Sequence, residues 1–136
     1  MNRYHIGILF IVAGLAQGCS KTSVGPEVPT GASVKFGQVR DILVESNTMG
    51  SGISKLDDAK NYESKFPQGA AAILDKSVVV VFGKALRETA TAENAEIIAY
   101  EAKAPKEGGW VVKENGMIYQ MTADEFTAKA PKQTKK

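Results

Sequence analysis

Three features that often reveal a protein's class are missing from this sequence. The single cysteine, Cys19, excludes an internal disulfide in any compartment. The longest apolar run, residues 6–15, is well short of the roughly 20 residues that a membrane-spanning helix needs. The 17 Lys and Arg nearly balance the 15 Asp and Glu, so the chain has no basic excess of the kind that nucleic-acid binding requires. Stability must therefore come from packing, and no nucleic-acid partner is expected.

The N-terminus has the plan of a secretory signal, with a basic start, an uncharged run and small residues before Cys19. The stretch Leu15 to Cys19 resembles the lipobox of bacterial lipoproteins, with Ala16 and Gly18 as its small residues. The resemblance implies that residues 1–18 are removed as a lipoprotein signal peptide and that the sulfur and new amino group of Cys19 receive acyl chains. Two alternatives stay open, an uncleaved membrane anchor and a plain secretory signal that leaves a free thiol.

Acylation at Cys19 would hold the protein on a bilayer without a spanning helix. Each buried methylene contributes about 0.8 kcal/mol, and two or more acyl chains hold stably. Ser20 follows the cysteine, where Asp in familiar lipoproteins favours the inner membrane, so we expect export to the outer membrane, facing the periplasm. Residues 19–33, rich in Pro, Gly and Ser, predict a lipidated cysteine and a flexible linker.

Residues 34–129 predict a single α+β domain, and residues 130–136 a basic disordered tail. Two N-terminal helices are expected. The first, over residues 37–46, rests on an apolar stripe at helical spacing: Phe36, Val39, Ile42 and Leu43. The alternation from Val34 to Phe36 leaves an edge strand open at its start.

The second helix is expected to begin at a capping box in which Ser54 is the cap and Asp57 stands three places on. It should end at Pro67, whose ring disfavours the helical conformation of the preceding residue. Residues 69–74 are expected to be an alanine-rich bridge of at most one helical turn.

A three- to four-stranded antiparallel sheet should follow these helices. Residues 77–82 are apolar on both faces, which predicts a central strand buried on either side. Residues 96–103 predict the next strand, with Ile98 and Tyr100 on one face and Ile97 and Ala99 on the other. Residues 104–109 are expected to be a loop.

A C-terminal hairpin is predicted over residues 110–121, because Asn115-Gly116 supplies the positive φ values of a type I′ turn. Counting outward pairs Val112 with Tyr119 and places Trp110 on the same face as Tyr119. That face either packs against the core or forms a sugar- or peptide-binding platform, and it is the candidate binding site. A last helix to residue 129 should begin at a Thr122 cap with Glu125 three places on and Phe126 turned inward.

The C-terminal part also resembles the final hairpin of pilin-like secreted proteins. The resemblance rests on Ala99-Tyr100-Glu101, a loop, Trp110-Val111-Val112, the Asn115-Gly116 turn and a following strand. It implies a cell-surface subunit. Asn115 and Met117 stand where that family has Asp and His, and no prepilin start precedes Cys19.

Residues that carry chemistry are scarce. His5 lies in the segment expected to be removed, so the mature chain would lack the imidazole of catalytic triads and of Cys/His zinc sites. The carboxylate pairs 57–58 and 124–125 each fall in the first turn of a predicted helix, where the helix dipole favours negative charge. We therefore expect no catalytic residue, metal or cofactor. The predicted function is a non-enzymatic binding or structural module with a protein or cell-wall partner, and a pilin-like subunit or a hydrolase is the alternative.

Overall fold

The structure of the chain is a computed structural model that describes residues 32–131. Cys19, the predicted signal peptide, nearly all of the predicted linker and most of the predicted tail lie outside the described residues. Within them, no helix is long and apolar enough to cross a bilayer.

The described residues form an α+β fold in which helices cover both faces of a four-stranded antiparallel sheet. The strands follow one another in space as they do in the chain. The helices are α1 (Val34–Thr48), a 3₁₀ helix (Leu56–Tyr62), α2 (Pro67–Leu74), α3 (Ala104–Glu107) and α4 (Ala123–Lys129). The strands are β1 (Val78–Val80), β2 (Ile97–Glu101), β3 (Gly109–Lys113) and β4 (Ile118–Met121).

The first helix, α1, confirms the predicted stripe and extends it at both ends. Phe36, Val39 and Ile42 are fully buried. Ser33 caps the helix, and its hydroxyl oxygen accepts a hydrogen bond from the amide of Phe36 at 3.3 Å. This cap draws Val34 into the first helical turn. The alternative of an edge strand over residues 34–36 is therefore wrong.

The second predicted helix is a shorter 3₁₀ helix over Leu56–Tyr62. The carboxylate that caps the 3₁₀ helix belongs to Asp58 and not to Asp57, and it accepts hydrogen bonds from the Ser54 and Lys55 amides at 2.9 and 3.1 Å. Pro67 begins α2 at its first position, where a missing N–H costs nothing. The predicted bridge is thus a helix of two turns.

Helix α2 packs directly on α1. Gln38 of α1 satisfies two amides at the start of α2, because its side-chain oxygen accepts hydrogen bonds from Gln68 and Gly69 at 2.9 and 3.0 Å. A Cβ at Gly69 would lie only 2.7 Å from the backbone of Gln38. Glycine therefore permits the close approach of these two helices.

The strand predicted to be central is the edge strand β1, which pairs only with β2. Val78 and Val80 face the core cluster under α1 and α2, whereas Val79 packs against a second cluster beneath α4. Apolar side chains on both faces of β1 thus reflect helices above and below the sheet, and not strands on both sides. The prediction attributed the two apolar faces to a central position in the sheet, whereas helices cover both faces of an edge strand.

Strand β2 contains an irregularity that the predicted alternation missed. The register against β3 shifts between Ile97 and Ala99. Ile98 and Ala99 consequently share the first cluster, and Ile97 and Tyr100 share the second. An extra residue in one strand turns consecutive side chains toward the same face.

The predicted hairpin forms, but its register differs by one residue. Val111 lies opposite Tyr119 and Val112 opposite Ile118. The amide of Gly116, at φ 74°, donates to the Lys113 carbonyl at 2.9 Å, which closes a loop of three residues. Glycine takes the single left-handed position of this turn, and the expected type I′ turn is wrong.

The last helix, α4, confirms its predicted capping box. The Thr122 hydroxyl accepts a hydrogen bond from the Glu125 amide at 3.3 Å, and the Glu125 carboxylate accepts one from the Thr122 amide at 2.8 Å. Phe126 points inward and is 4% exposed. The loop predicted before Gly109 is instead the one-turn helix α3, with Pro105 in its first turn.

Candidate functional site

The two residues of the predicted binding face lie on opposite sides of the sheet. Tyr119 pairs with Val111, whereas Trp110 pairs with Gln120, and neighbouring strand residues point to opposite faces. Trp110 packs at the margin of the cluster beneath α1 and α2, and Tyr119 at the margin of the cluster beneath α4. A one-residue shift in register reverses every side chain of a strand, and here it separates the predicted pair.

Tyr119 is occupied by contacts within its own hairpin. Its hydroxyl accepts a hydrogen bond from the side-chain amide of Asn115 at 2.8 Å. The ammonium of Lys113 lies 4.8 Å from its ring centroid and donates to the Ala92 carbonyl at 2.6 Å. Burial, with a smaller contribution from Lys129, lowers the pKa of Lys113. These contacts hold the Tyr119 ring in place on the hairpin.

Trp110 instead borders an open cleft of 450 Å³ at the end of the sheet. We call it the Trp110 cleft. Trp110 pairs with Gln120 of β4, and its amide donates a hydrogen bond to the carboxylate of Glu101 at the end of β2. Trp110 is half-buried and Gln120 exposed. A carboxylate, an indole ring and a primary amide thus line the same cleft.

The carboxylate of Glu101 is held in place. One oxygen accepts a hydrogen bond from the Trp110 amide at 3.0 Å, and the Lys103 ammonium lies 3.9 Å away. A Cβ at Gly109 would meet that oxygen at 2.8 Å. A side chain at position 109 would therefore clash with the Glu101 carboxylate, and glycine avoids this clash.

The cleft has an acidic lining. Glu101, Glu107 and Glu125 outnumber the one cation, Lys103. Hydrogen bonds from the amide and then the hydroxyl of Thr122 lower the pKa of Glu125, so this carboxylate is ionised at neutral pH. With three carboxylates and one ammonium, the lining has a formal charge of −2.

The cleft combines an aromatic ring with planar polar groups. Such groups can stack on a ligand and hydrogen-bond to its edge. Within residues 32–131 no group of three or more His, Cys, Asp or Glu side chains is arranged to hold a metal ion. Sequence reasoning identified Trp110 but missed Glu101 and Gln120, because only the tertiary structure brings these residues of three strands to one cleft.

No protein-family model, curated protein or solved structure matches this chain. The fold defines an α+β domain with an antiparallel meander between two helical layers.

Proposed function

We propose that this chain is an exported lipoprotein, anchored through an acylated Cys19 to the outer membrane and facing the periplasm. The observation that carries this proposal is the sequence from Leu15 to Cys19, with small residues before the cysteine. The first helix of the described residues is α1, which Ser33 caps. The flexible linker predicted over residues 19–33 would separate α1 from the proposed lipid and hold the domain at a membrane surface.

We further propose that the domain is a non-enzymatic binding module whose Trp110 cleft receives a sugar or peptide group of a cell-wall or protein partner. The half-buried Trp110 supports this, because an indole ring offers a large apolar surface at little cost in conformational entropy. Glu101 is fixed beside it by the hydrogen bond from the Trp110 amide. Such a fixed polar group gives a site orientation and selectivity.

The anchor is tested by replacing Cys19 with alanine and fractionating the cells. We expect Cys19→Ala to move the chain out of the detergent-extracted membrane fraction or to leave an unprocessed precursor. Mass spectrometry of the wild type should find acyl groups on residue 19. Gln17→Ala is the matched control, because it keeps Cys19 and the small residues Ala16 and Gly18. Unchanged membrane association of a processed Cys19→Ala chain would reject the anchor.

The cleft is tested by co-sedimentation of the full chain with purified peptidoglycan and by cross-linking to neighbours in intact cells. We expect Trp110→Ala to weaken retention at least tenfold, or about 1.4 kcal/mol. Met117→Ala is the control, since Met117 is 39% exposed on the same hairpin but outside the cleft. Equal retention of wild type and Trp110→Ala would reject the cleft while leaving the anchor untouched.

A pilin-like surface subunit is the second candidate. In its favour, α1 packs over an antiparallel sheet that ends in a hairpin. Such a subunit would assemble into filaments, so shearing of cells should release it in large particles. The anchored module should stay with the membrane.

A further inference from the structure

A second cavity lies along the open edge of β1. It has a volume of 310 Å³ and is lined by Leu56, Ile73, Lys76, Val78, Val79, Val80 and Phe82. We call it the β1 groove. Phe82 at its mouth is 44% exposed, although it is a large apolar side chain. The groove shares no lining residue with the Trp110 cleft.

The wall of the β1 groove is almost entirely hydrocarbon. The unpaired backbone of β1 contributes little to its surface, so an added peptide strand would find few hydrogen-bonding partners there. A cavity of this size and lining takes a hydrophobic ligand and uses its few polar groups to orient it.

The one charged residue of the groove is Lys76. Among the described residues its ammonium has no ion-pair partner. Apolar walls with one cationic residue among them match a ligand that has an aliphatic chain and an anionic end. A neutral chain, such as the acyl group proposed on Cys19, would leave this cation unused.

The backbone of Lys76 has an unusual conformation. It has φ 62°, the one positive value among the described residues other than glycine. It follows the C-cap of α2, and its amide donates to the Ile73 carbonyl at 3.2 Å. Glycine is the residue that fits this position without strain. A Lys76→Gly substitution therefore removes the ammonium without disturbing the backbone.

We propose that the β1 groove binds a single-chain fatty carboxylate, with its tail along the edge of β1 and its carboxylate on the Lys76 ammonium. The site depends neither on the lipid anchor nor on the Trp110 cleft. Binding would place the hydrocarbon against Ile73 and Phe82 and would cover the exposed ring of Phe82.

The test is photo-cross-linking of the full chain in membranes with a fatty acid that carries a diazirine in its tail, and with the corresponding alcohol. Mass spectrometry should locate the carboxylate probe on groove residues such as Phe82. We expect Lys76→Gly to reduce this labelling at least tenfold and to leave the weaker labelling by the alcohol unchanged. Met49→Ser, which removes an apolar side chain 66% exposed outside the groove, should label as the wild type does.

Stability provides the second readout. Because glycine relieves the strain at φ 62°, Lys76→Gly should raise the melting temperature by about 3–6 °C while it loses the probe. Loss of labelling through unfolding would give the opposite shift. A lower melting temperature of Lys76→Gly together with lost labelling would therefore overturn the proposal.

Three other results would also reject a free fatty carboxylate as the occupant. Equal labelling by the acid and the alcohol would show that the Lys76 ammonium does not contribute to binding. A large gain of labelling in Cys19→Ala would show that the chain's own acyl group had filled the groove. Cross-links between the Lys76 residues of two copies, in place of lipid adducts, would assign the groove to a second copy of the chain.

Discussion

Arg87 donates two hydrogen bonds to one oxygen of Glu114, from Nε at 2.9 Å and from Nη2 at 2.6 Å. The side chain of Glu114 is 6% exposed and that of Arg87 is 53% exposed. The amide of Glu96 donates to the same oxygen at 3.2 Å, and the Arg87 amide donates to the Glu114 carbonyl at 2.8 Å. This cluster fastens the long loop before β2 to the tip of the hairpin.

Replacement of Arg87 by alanine should destabilise the domain by about 2 kcal/mol. The reason is that a nearly buried carboxylate on Glu114 would lose its charged partner and keep only the hydrogen bond from the Glu96 amide. Urea denaturation gives the free energy of unfolding. Lys60→Ala is the control, since it breaks a solvent-exposed pair with Asp57 and should change nothing measurable. Similar losses in both variants would contradict the assigned role of the cluster.

Gly116→Ala should cost about 1 kcal/mol, because φ 74° is a conformation that alanine adopts only with strain. A steric clash is not the cause, since the nearest atom, on Leu86, would lie 3.7 Å from an added Cβ, an ordinary van der Waals distance. Backbone NMR should show the Val111–Tyr119 pairing retained in the variant. A pairing of Val112 with Tyr119 would show that the type I′ register is the stable one.

Acid should weaken the domain partly through Glu125. Hydrogen bonds from Thr122 lower its pKa below the ordinary value of 4.5, so the folded state holds the proton less tightly than the unfolded state. The stabilising contribution is therefore complete above pH 4.5 and is lost as the pH falls through the lower, folded pKa. As the pH is lowered from 7 to 3, the urea concentration at the unfolding midpoint should fall less steeply for Glu125→Gln than for the wild type. Glu88→Gln, at an exposed loop position, is the control, and its urea midpoint should fall as steeply as that of the wild type.

Phe126→Ala should destabilise the domain by about 3–4 kcal/mol. The ring is 4% exposed and lies 4.8 Å, centroid to centroid, from that of Tyr100, so its removal leaves a cavity in the cluster beneath α4. Phe82→Ala removes the same side chain at a position 44% exposed and should cost less than about 1 kcal/mol. If the two variants lost equal stability, α4 would not be part of the core.

Much of the local structure follows from signals within a few residues. The stripe of Phe36 and Val39 predicts α1, and the pair Thr122 and Glu125 predicts α4, since spacing and capping depend on near neighbours. The overall α+β class with a C-terminal hairpin follows from the same local patterns. The signal at Cys19 is of this kind too and stays a prediction.

The candidate site depended on choices that no local pattern contains. A shift of one residue in the β3–β4 register separates Trp110 from Tyr119 and pairs Trp110 with Gln120. The sequence by itself determined α1, α4 and the four strand segments, because their spacing and caps act over a few residues, whereas it missed α3 and the two turns of α2. The tertiary structure alone decided which faces meet, because the register follows from packing between residues distant in the chain.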